Sequence, residues 1–375
     1  MACFGFSMII KALRLNHFRN YQEEVFHFSD HINVITGSNA QGKTNLLEGL
    51  FFLSRGYSHR ALTVSDMASF ESDHFFIQAD LMKETVHHKI CITYQNKKKS
   101  LTVDDKKEKS HQRVLKIYNT ILFEPDDLRI VKAGPEKRRR FMNEEISGML
   151  PGYLPVLKKY RKVLAQRNAL LKNIRYSPSM RPLLAGWNEQ LVDYGVKLMA
   201  YRLDYLKQLN RSAKALHDVL SSNREQLSLY YQDNVIDRFV QMEAMRDAFM
   251  EKLQTSETKD IERGTTHFGP HVDDIIVKID GRDARKYASQ GQQRTAAIAL
   301  KLSQMDIYHE LTGDYPVVLL DDILSELDAH RQQNILSILG RSQAFITCTD
   351  SHFAGYYEEA NKKIIHISDG HQIEI

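Results

Sequence analysis

Eight consecutive residues, Gly37-Ser38-Asn39-Ala40-Gln41-Gly42-Lys43-Thr44, have the types and spacing needed to cradle a triphosphate. The glycines permit the tight path by which backbone amides wrap phosphate oxygens. The Lys43 ammonium supplies charge for the β- and γ-phosphates, and the Thr44 hydroxyl can ligate Mg2+. The run follows the strand-like His31–Thr36 and precedes the apolar Leu46–Leu53, so a helix N-terminus adds its positive potential. The bland alternative is a tight turn, which the strand–loop–helix context disfavours.

A second constellation lies far downstream. Pro316-Val317-Val318-Leu319-Leu320-Asp321-Asp322 is an apolar strand ending in two carboxylates, where Asp321 can hold the Mg2+ hydration shell and Asp322 can orient an attacking water. Apolar strands often end in acidic turns, so this segment gains meaning only from its company. Shortly before it stands Ser289-Gln290-Gly291-Gln292-Gln293-Arg294, heading a helical run, and just after it Ser325-Glu326-Leu327-Asp328.

The elements that must position these groups show in the hydrophobic period. Segments 9–15, 24–28 and 31–36 alternate as strands, and Phe75–Leu81, Lys89–Tyr94 and Ser100–Val103 read as a small antiparallel layer. From about Pro135 the period becomes helical: Leu157, Tyr160, Val163, Arg167, Leu170 and Ile174 share one face. Pro178 and Pro182 interrupt it before long helical stretches from about Trp187 to Leu220 and Asp237 to Leu253. Strand-like Ile275–Ile279, helix-like Arg294–Glu310 and apolar Pro316–Leu320 restore the mixed character. The expected division is 1–125, a helical insert 126–261, and 262–375.

With 42% hydrophobic and 26% charged residues in 375, the chain is ordinary globular material. No run of about 18 uninterrupted apolar residues offers a membrane span. Cys3, Cys91 and Cys348 lie apart without CxxC spacing, and neither His87-His88 nor His267/His271 has zinc-site spacing, so a reducing, cytoplasmic setting is expected. Net charge is only +4, yet Glu136–Lys214 carries 17 Lys/Arg against 6 Asp/Glu, leaving −7 for the rest. Such asymmetry is the footprint of a polyanion-binding face. Arg138, Arg139, Arg140, Lys158, Lys159, Arg161, Lys162 and Arg167 are the candidate phosphate contacts; a solvated helix face is the alternative.

The serine-glycine segment resembles the signature of ABC ATPases, and the order of the three motifs is that of the superfamily. The resemblance narrows to the RecF family over nearly the whole chain. It is carried by Leu15-Asn16-His17-Phe18-Arg19-Asn20-Tyr21, Lys43-Thr44-Asn45-Leu46-Leu47-Glu48, Gly134-Pro135-Glu136-Lys137-Arg138-Arg139-Arg140-Phe141, Gly269-Pro270-His271-Val272-Asp273-Asp274 and the 319–328 stretch. What it implies is an α/β ABC-type ATPase head, a P-loop NTPase of mixed sheets and helices, with an inserted helical second lobe. ATP and Mg2+ would be the cofactors, with Ser289, Gly291 and Gln292 binding the γ-phosphate of ATP held by a second copy in an ATP-dependent homodimer. It also implies weak ATPase activity, binding to gapped DNA, and cooperation with RecR and RecO in loading RecA during recombinational repair, replication restart and the SOS response.

Several positions depart from the pattern. Asp322 stands where most ABC ATPases carry glutamate, so slow hydrolysis suited to a switch is expected. Thr349 stands where transporters place a switch histidine, and no Q-loop glutamine precedes Asp126. Arg60 resembles an arginine that senses nucleotide or DNA in SMC heads, with a plain surface arginine as the alternative. The family-like start is Met8, leaving residues 1–7 as an extension or a start-site artefact. Two further readings share the nucleotide motifs. An SMC-like structural head would need a longer insert for its coiled coil, at about 1.5 Å per residue; an ABC transporter subunit would be expected to carry the switch histidine.

Overall fold

The computed structural model describes residues 8–235, 241–349 and 362–373, so the reading of residues 1–7 falls outside it. The chain divides into two compact units, Met1–Leu128 with Lys301–Ile375, and Arg129–Leu300.

The first unit opens with a hairpin, β1 (Met8–Phe18) and β2 (Tyr21–His27), whose alternation buries Ile10, Leu13, Leu15 and Phe18. β3 (Ile32–Thr36) is buried along its whole length and feeds the glycine loop and α1 (Lys43–Arg55). The antiparallel strands β4 (Phe75–Lys83), β5 (Val86–Gln95), β6 (Lys98–Val103) and β7 (Lys106–Glu108) follow. The β5–β6 and β6–β7 turns, Asn96-Lys97 and Asp104-Asp105, have positive φ at both central residues. That is the geometry of two-residue hairpin loops matched to strand twist. α2 (Gln112–Ile117) and β8 (Thr120–Phe123) complete this half.

The second unit is built on α3 (Pro135–Met149), α4 (Tyr153–Ile174) and α5 (Leu184–Leu220), with α4 and α5 packed together. β9 (Leu227–Gln232), α6 (Met242–Thr255), α7 (Glu257–Arg263), β10 (Asp274–Ile279), β11 (Arg282–Asp283) and α8 (Ala284–Tyr287) follow. The start of the helix expected from Asp237 lies outside the described residues.

Two arginines are enclosed here. Arg167 is fully buried, pairing with Asp260 at 2.8 Å and bonding Asn188 and Thr266 at 2.7 Å. Arg202 donates to the Pro270 carbonyl, Asn143 and Tyr153. Removing one partner of such a pair strands a charge away from water, so Asp260→Ala is expected to destabilise the protein by ~3–5 kcal/mol in chemical denaturation. A loss below ~1 kcal/mol would mean that Arg167 finds water instead.

α9 (Gln290–Thr312) begins in the second unit and ends in the first, which closes with β12 (Val317–Asp321), α10 (Ala329–Leu339), β13 (Ala344–Cys348), β14 (Lys362–Ser368) and β15 (His371–Ile373). Its two six-stranded sheets have the orders β2-β1-β4-β5-β6-β7, antiparallel throughout, and β15-β14-β3-β13-β12-β8, parallel except for β15. α1 contacts both sheets, which explains why Leu46, Leu47, Leu50, Phe51, Phe52 and Leu53 bury nearly all of its circumference.

Mixed sheets with helices are as expected, and two particulars differ. The antiparallel layer is larger than the small one expected, because β1 pairs with both β2 and β4 and so brings the N-terminal hairpin into it. The second unit extends past the expected limit of 261 to Leu300, because β10 pairs with β9 and thereby holds 262–300 to the helical unit.

Candidate functional site

Parallel strands leave a ligand-binding edge at their carboxyl ends. On the first unit's mixed sheet these ends carry Thr36 of β3, Thr347 one residue before the end of β13, Asp321 of β12 and, one residue beyond β8, Glu124. The glycine loop leaves the sheet from this edge. Gly37 has φ 145° and an added Cβ would sit 2.2 Å from the Ile367 carbonyl oxygen; Gly42 has φ 122° and its Cβ would meet Asn20 and Tyr21 at 2.8 Å. Neither position admits a side chain. Ser38, Asn39 and Ala40 form the exposed crest, with Ala40 itself left-handed at φ 65°.

The loop is held from both ends of the chain. Asn20 of the β1–β2 turn donates to the Gln41 carbonyl at 2.9 Å, and the buried Tyr21 hydroxyl at the start of β2 donates to the Gly42 carbonyl at 2.9 Å. From the β14–β15 turn, Gly370 N–H donates to the Gln41 carbonyl and Asp369 N–H to Gln41 Oε1. Lys43 Nζ is 2.5 and 2.8 Å from the carbonyls of Gly37 and Ser38, so its charge already points along the cradle.

The Thr44 hydroxyl donates to Asp321 at 3.0 Å, and Thr347 donates to the same Asp321 oxygen at 2.8 Å. Burial pushes the Asp321 carboxyl above its ordinary range, and these two hydroxyls only partly offset the rise. A hydroxyl and a carboxylate at hydrogen-bond distance are the hard oxygen donors that Mg2+ takes, so the residues present fit Mg2+ beside a triphosphate. Asp322 has φ 53°, a conformation that tends to collect at functional positions. Its N–H donates to Thr347, and its carboxylate accepts from Ser325 at 3.2 Å.

Ser289, Gly291 and Gln292 stand at the start of α9, in the second unit. Ser289 N–H donates to Gln292 Oε1 at 2.8 Å, and Ser289 Oγ accepts from the Gln292 N–H at 3.2 Å, a reciprocal helix cap. The cap uses a lone pair of the hydroxyl, which leaves its proton for another acceptor. Asp328 of the segment after the carboxylates caps α10 by accepting from Arg331 N–H.

Several neighbours went unnoticed in the sequence. Glu124 follows the apolar Ile121-Leu122-Phe123 as Asp321 follows Leu319-Leu320, and that parallel was the available signal. It pairs with His59 at 3.1 Å, and its charge acts on Asp321, so an acid occupies the strand end where no Q-loop glutamine was found. Thr347, not the exposed Thr349, meets Asp321. Arg60 bonds Asn45 at 3.0 Å at the start of α1, near the buried Glu48 that Arg19 grips with two bonds.

The candidate phosphate contacts separate by burial. Lys158, Lys159, Arg161 and Lys162 are exposed on α4. Arg139 is half-buried and donates to the Asp273 carbonyl, and Arg140 pairs with Glu144 on the surface. Arg138 does not face a duplex: it is 4% exposed, with two bonds of 2.7 Å to Asp274 and others to the carbonyls of Ile130, Val131 and Ala133. Arg167 is likewise removed from that surface by its buried pair with Asp260.

The RecF/RecN/SMC N terminal domain family matches residues 9–373. The chain is 38% identical over 358 residues to the DNA replication and repair protein RecF of Lachnoclostridium phytofermentans, covering 95% of this chain and 96% of that one. It is 38% identical to RecF of Bacillus subtilis over 345 residues, covering 91% and 93%. Among solved structures, one described as the recombination mediator protein RecF-ATPrS in the RecFOR pathway is 34% identical, with a TM-score of 0.90 over 98% of both chains. The Smc head domain of Pyrococcus furiosus, at 16% identity and a TM-score of 0.55, shares the fold. The chain belongs to the RecF family.

Proposed function

We propose that this protein is an ATP-dependent DNA-binding protein of DNA replication and repair, which dimerises on ATP and hydrolyses it slowly as a switch. The observation that carries the reading is the pairing of Thr44 with Asp321 beneath a glycine loop whose Lys43 already points along its carbonyls. Solved RecF structures described with ATP and with ATPrS, both 34% identical to this chain, support the choice of nucleotide. Gly37 to Thr44 would hold its phosphates. Thr44 and Asp321 would hold Mg2+, which when bound neutralises phosphate charge.

Asp322 orients water from a shorter side chain than glutamate, hence the slow turnover. Ser289, Gly291 and Gln292 offer a hydroxyl proton and helix-end amides to the γ-phosphate of a triphosphate bound by a second copy. Lys158, Lys159, Arg161 and Lys162 take the DNA backbone. In the cell this switch serves gapped DNA, with RecR and RecO, in the loading of RecA for recombinational repair, replication restart and the SOS response.

Fluorescence anisotropy with a labelled gapped duplex tests the switch. Affinity is expected to rise at least about 10-fold when ATP and Mg2+ are added, and equal affinity with and without nucleotide would refute it.

A further inference from the structure

We propose that the β5–β6–β7 edge of the first unit is a second DNA-backbone surface, one that captures DNA without nucleotide. Between Lys83 and Lys116 there are ten Lys/Arg and four Asp/Glu, a second basic concentration separate from the one in 136–214. What distinguishes it is how the acids are used. Asp104 accepts from His88 and Arg113, Glu108 accepts from Arg113, and Asp105 lies 3.7 Å from Lys89. Glu84 sits on the opposite side of β5, in the turn before it.

Apart from Lys116 on α2, five lysines remain, all on β6, β7 and the turns beside them. Lys97, Lys98, Lys106, Lys107 and Lys109 are exposed and make no ion pair or side-chain hydrogen bond among the described residues. Lys99, by contrast, is a structural residue: it bonds the Gly56 carbonyl and lies over the Phe52 ring.

The pleat brings Lys98 and Lys107 to one face, while Lys106, opposite Val103, lies on the other face of the edge strand. Leu101 and Val103 of β6 point to the core, so Lys98, Ser100 and Thr102 share the outer face. Thr102 pairs with Lys107 on β7, which places Lys107 on that outer face, with Lys109 two residues further along. The same pairing sets Cys91, Thr93 and Gln95 of β5 beside Thr102, Ser100 and Lys98. The resulting surface is lysine among hydroxyls and an amide, with no carboxylate on the outer face of these three strands.

Strands lie about 4.8 Å apart and same-face residues about 7 Å apart, so the lysine fields overlap within a Debye length or two. Lysine at a sheet edge also discourages edge-to-edge pairing. That explains Lys106 and Lys107 on the edge strand, but not Lys97 in the β5–β6 turn or Lys98 at the start of β6, which is paired on both sides. Since the surface belongs to one unit of one chain, it requires neither ATP nor a second copy. A single copy is therefore held on duplex DNA before ATP joins it to a second copy.

This inference rests on the DNA-binding reading, and the test separates the two. Binding of a duplex oligonucleotide is measured by anisotropy without nucleotide, from 50 to 200 mM salt, for the parent protein and two combined variants. The edge variant carries Lys97→Asn, chosen because Asn tolerates the positive φ there, with Lys98→Gln, Lys106→Gln, Lys107→Gln and Lys109→Gln. The α4 variant carries Lys158→Gln, Lys159→Gln, Arg161→Gln and Lys162→Gln.

The edge variant is expected to lose about 10-fold or more in nucleotide-free affinity. Its plot of log affinity against log salt should be shallower by ~4, since each phosphate contact contributes a slope of ~0.9. Binding of a fluorescent ATP analogue should be unchanged. The α4 variant should keep most nucleotide-free binding and lose the increment that ATP adds.

An edge variant that matches the parent in affinity and slope overturns the inference while leaving the DNA reading intact. A change confined to retention on immobilised polyglutamate overturns it too, in favour of an acidic protein partner. A parent that binds no DNA in any nucleotide state defeats both readings. Should the combined variant unfold, Lys98→Gln and Lys107→Gln alone decide, each with a slope change near 1 or none.

Discussion

Lys43→Ala is expected to weaken binding of a fluorescent ATP analogue by about 100-fold, ~2.7 kcal/mol, and to abolish every effect of ATP on DNA affinity. The magnitude follows from what the side chain does twice over. Its ammonium holds the carbonyls of Gly37 and Ser38, and in the proposed reading it would also meet the phosphate oxygens of bound nucleotide. Removing it both frees the loop and deletes a charge-assisted contact. Asn20, Tyr21, Asp369 and Gly370 still hold the loop from outside, so the variant should fold, and its unfolding midpoint without nucleotide should stay close to that of the parent. ATP affinity within about threefold of the parent would remove Lys43 from the site.

Ser289→Arg is expected to separate binding from assembly. ATP affinity of the isolated chain should remain within about threefold, because Gly37–Thr44, Asp321 and Asp322 all belong to the first unit while Ser289 belongs to the second. ATP-dependent association and the rise in DNA affinity should vanish. The substitution replaces a hydroxyl that caps α9 by a bulky cation, so a helix-cap loss of ~1 kcal/mol accompanies it. Ser289→Ala incurs the same cap loss without the bulk, and it distinguishes a weakened helix from a blocked interface. Equal ATP-dependent association for parent and Ser289→Arg would show that the signature segment has no part in assembly.

Much of the candidate nucleotide site is legible in the sequence because its chemistry is local. A lysine and a threonine behind two glycines, and carboxylates after an apolar strand, reveal themselves within eight residues. What the sequence concealed depends on pairing at a distance. β8 is only four residues long, and its parallel partner β12 lies on the far side of the second unit in the chain, so nothing nearby marks Glu124 as the neighbour of Asp321. The same holds for Asn20 and Asp369, which reach Gln41 from opposite ends of the chain.

The basic insert misled for a different reason. α3 buries Arg138, Asn143 and Glu145 together with Phe141, Met142 and Ile146, so its core-facing stripe is partly charged and its period is blurred. Arg167 differs from the surface residue expected of it, because it shares the helical face of Tyr160, Val163, Leu170 and Ile174, which points inward. Charge content alone drew it to the surface. Lys158, Lys159, Arg161 and Lys162 fall between those apolar positions and do face solvent.

Light scattering on Asp322→Asn protein with saturating ATP and Mg2+ examines the shared-nucleotide claim most directly, since hydrolysis cannot then undo assembly. A mass of twice the 43.4 kDa chain with ATP, returning to one chain with ADP, is the expected result. A single-chain mass under both conditions, in protein shown to have bound ATP, would contradict it.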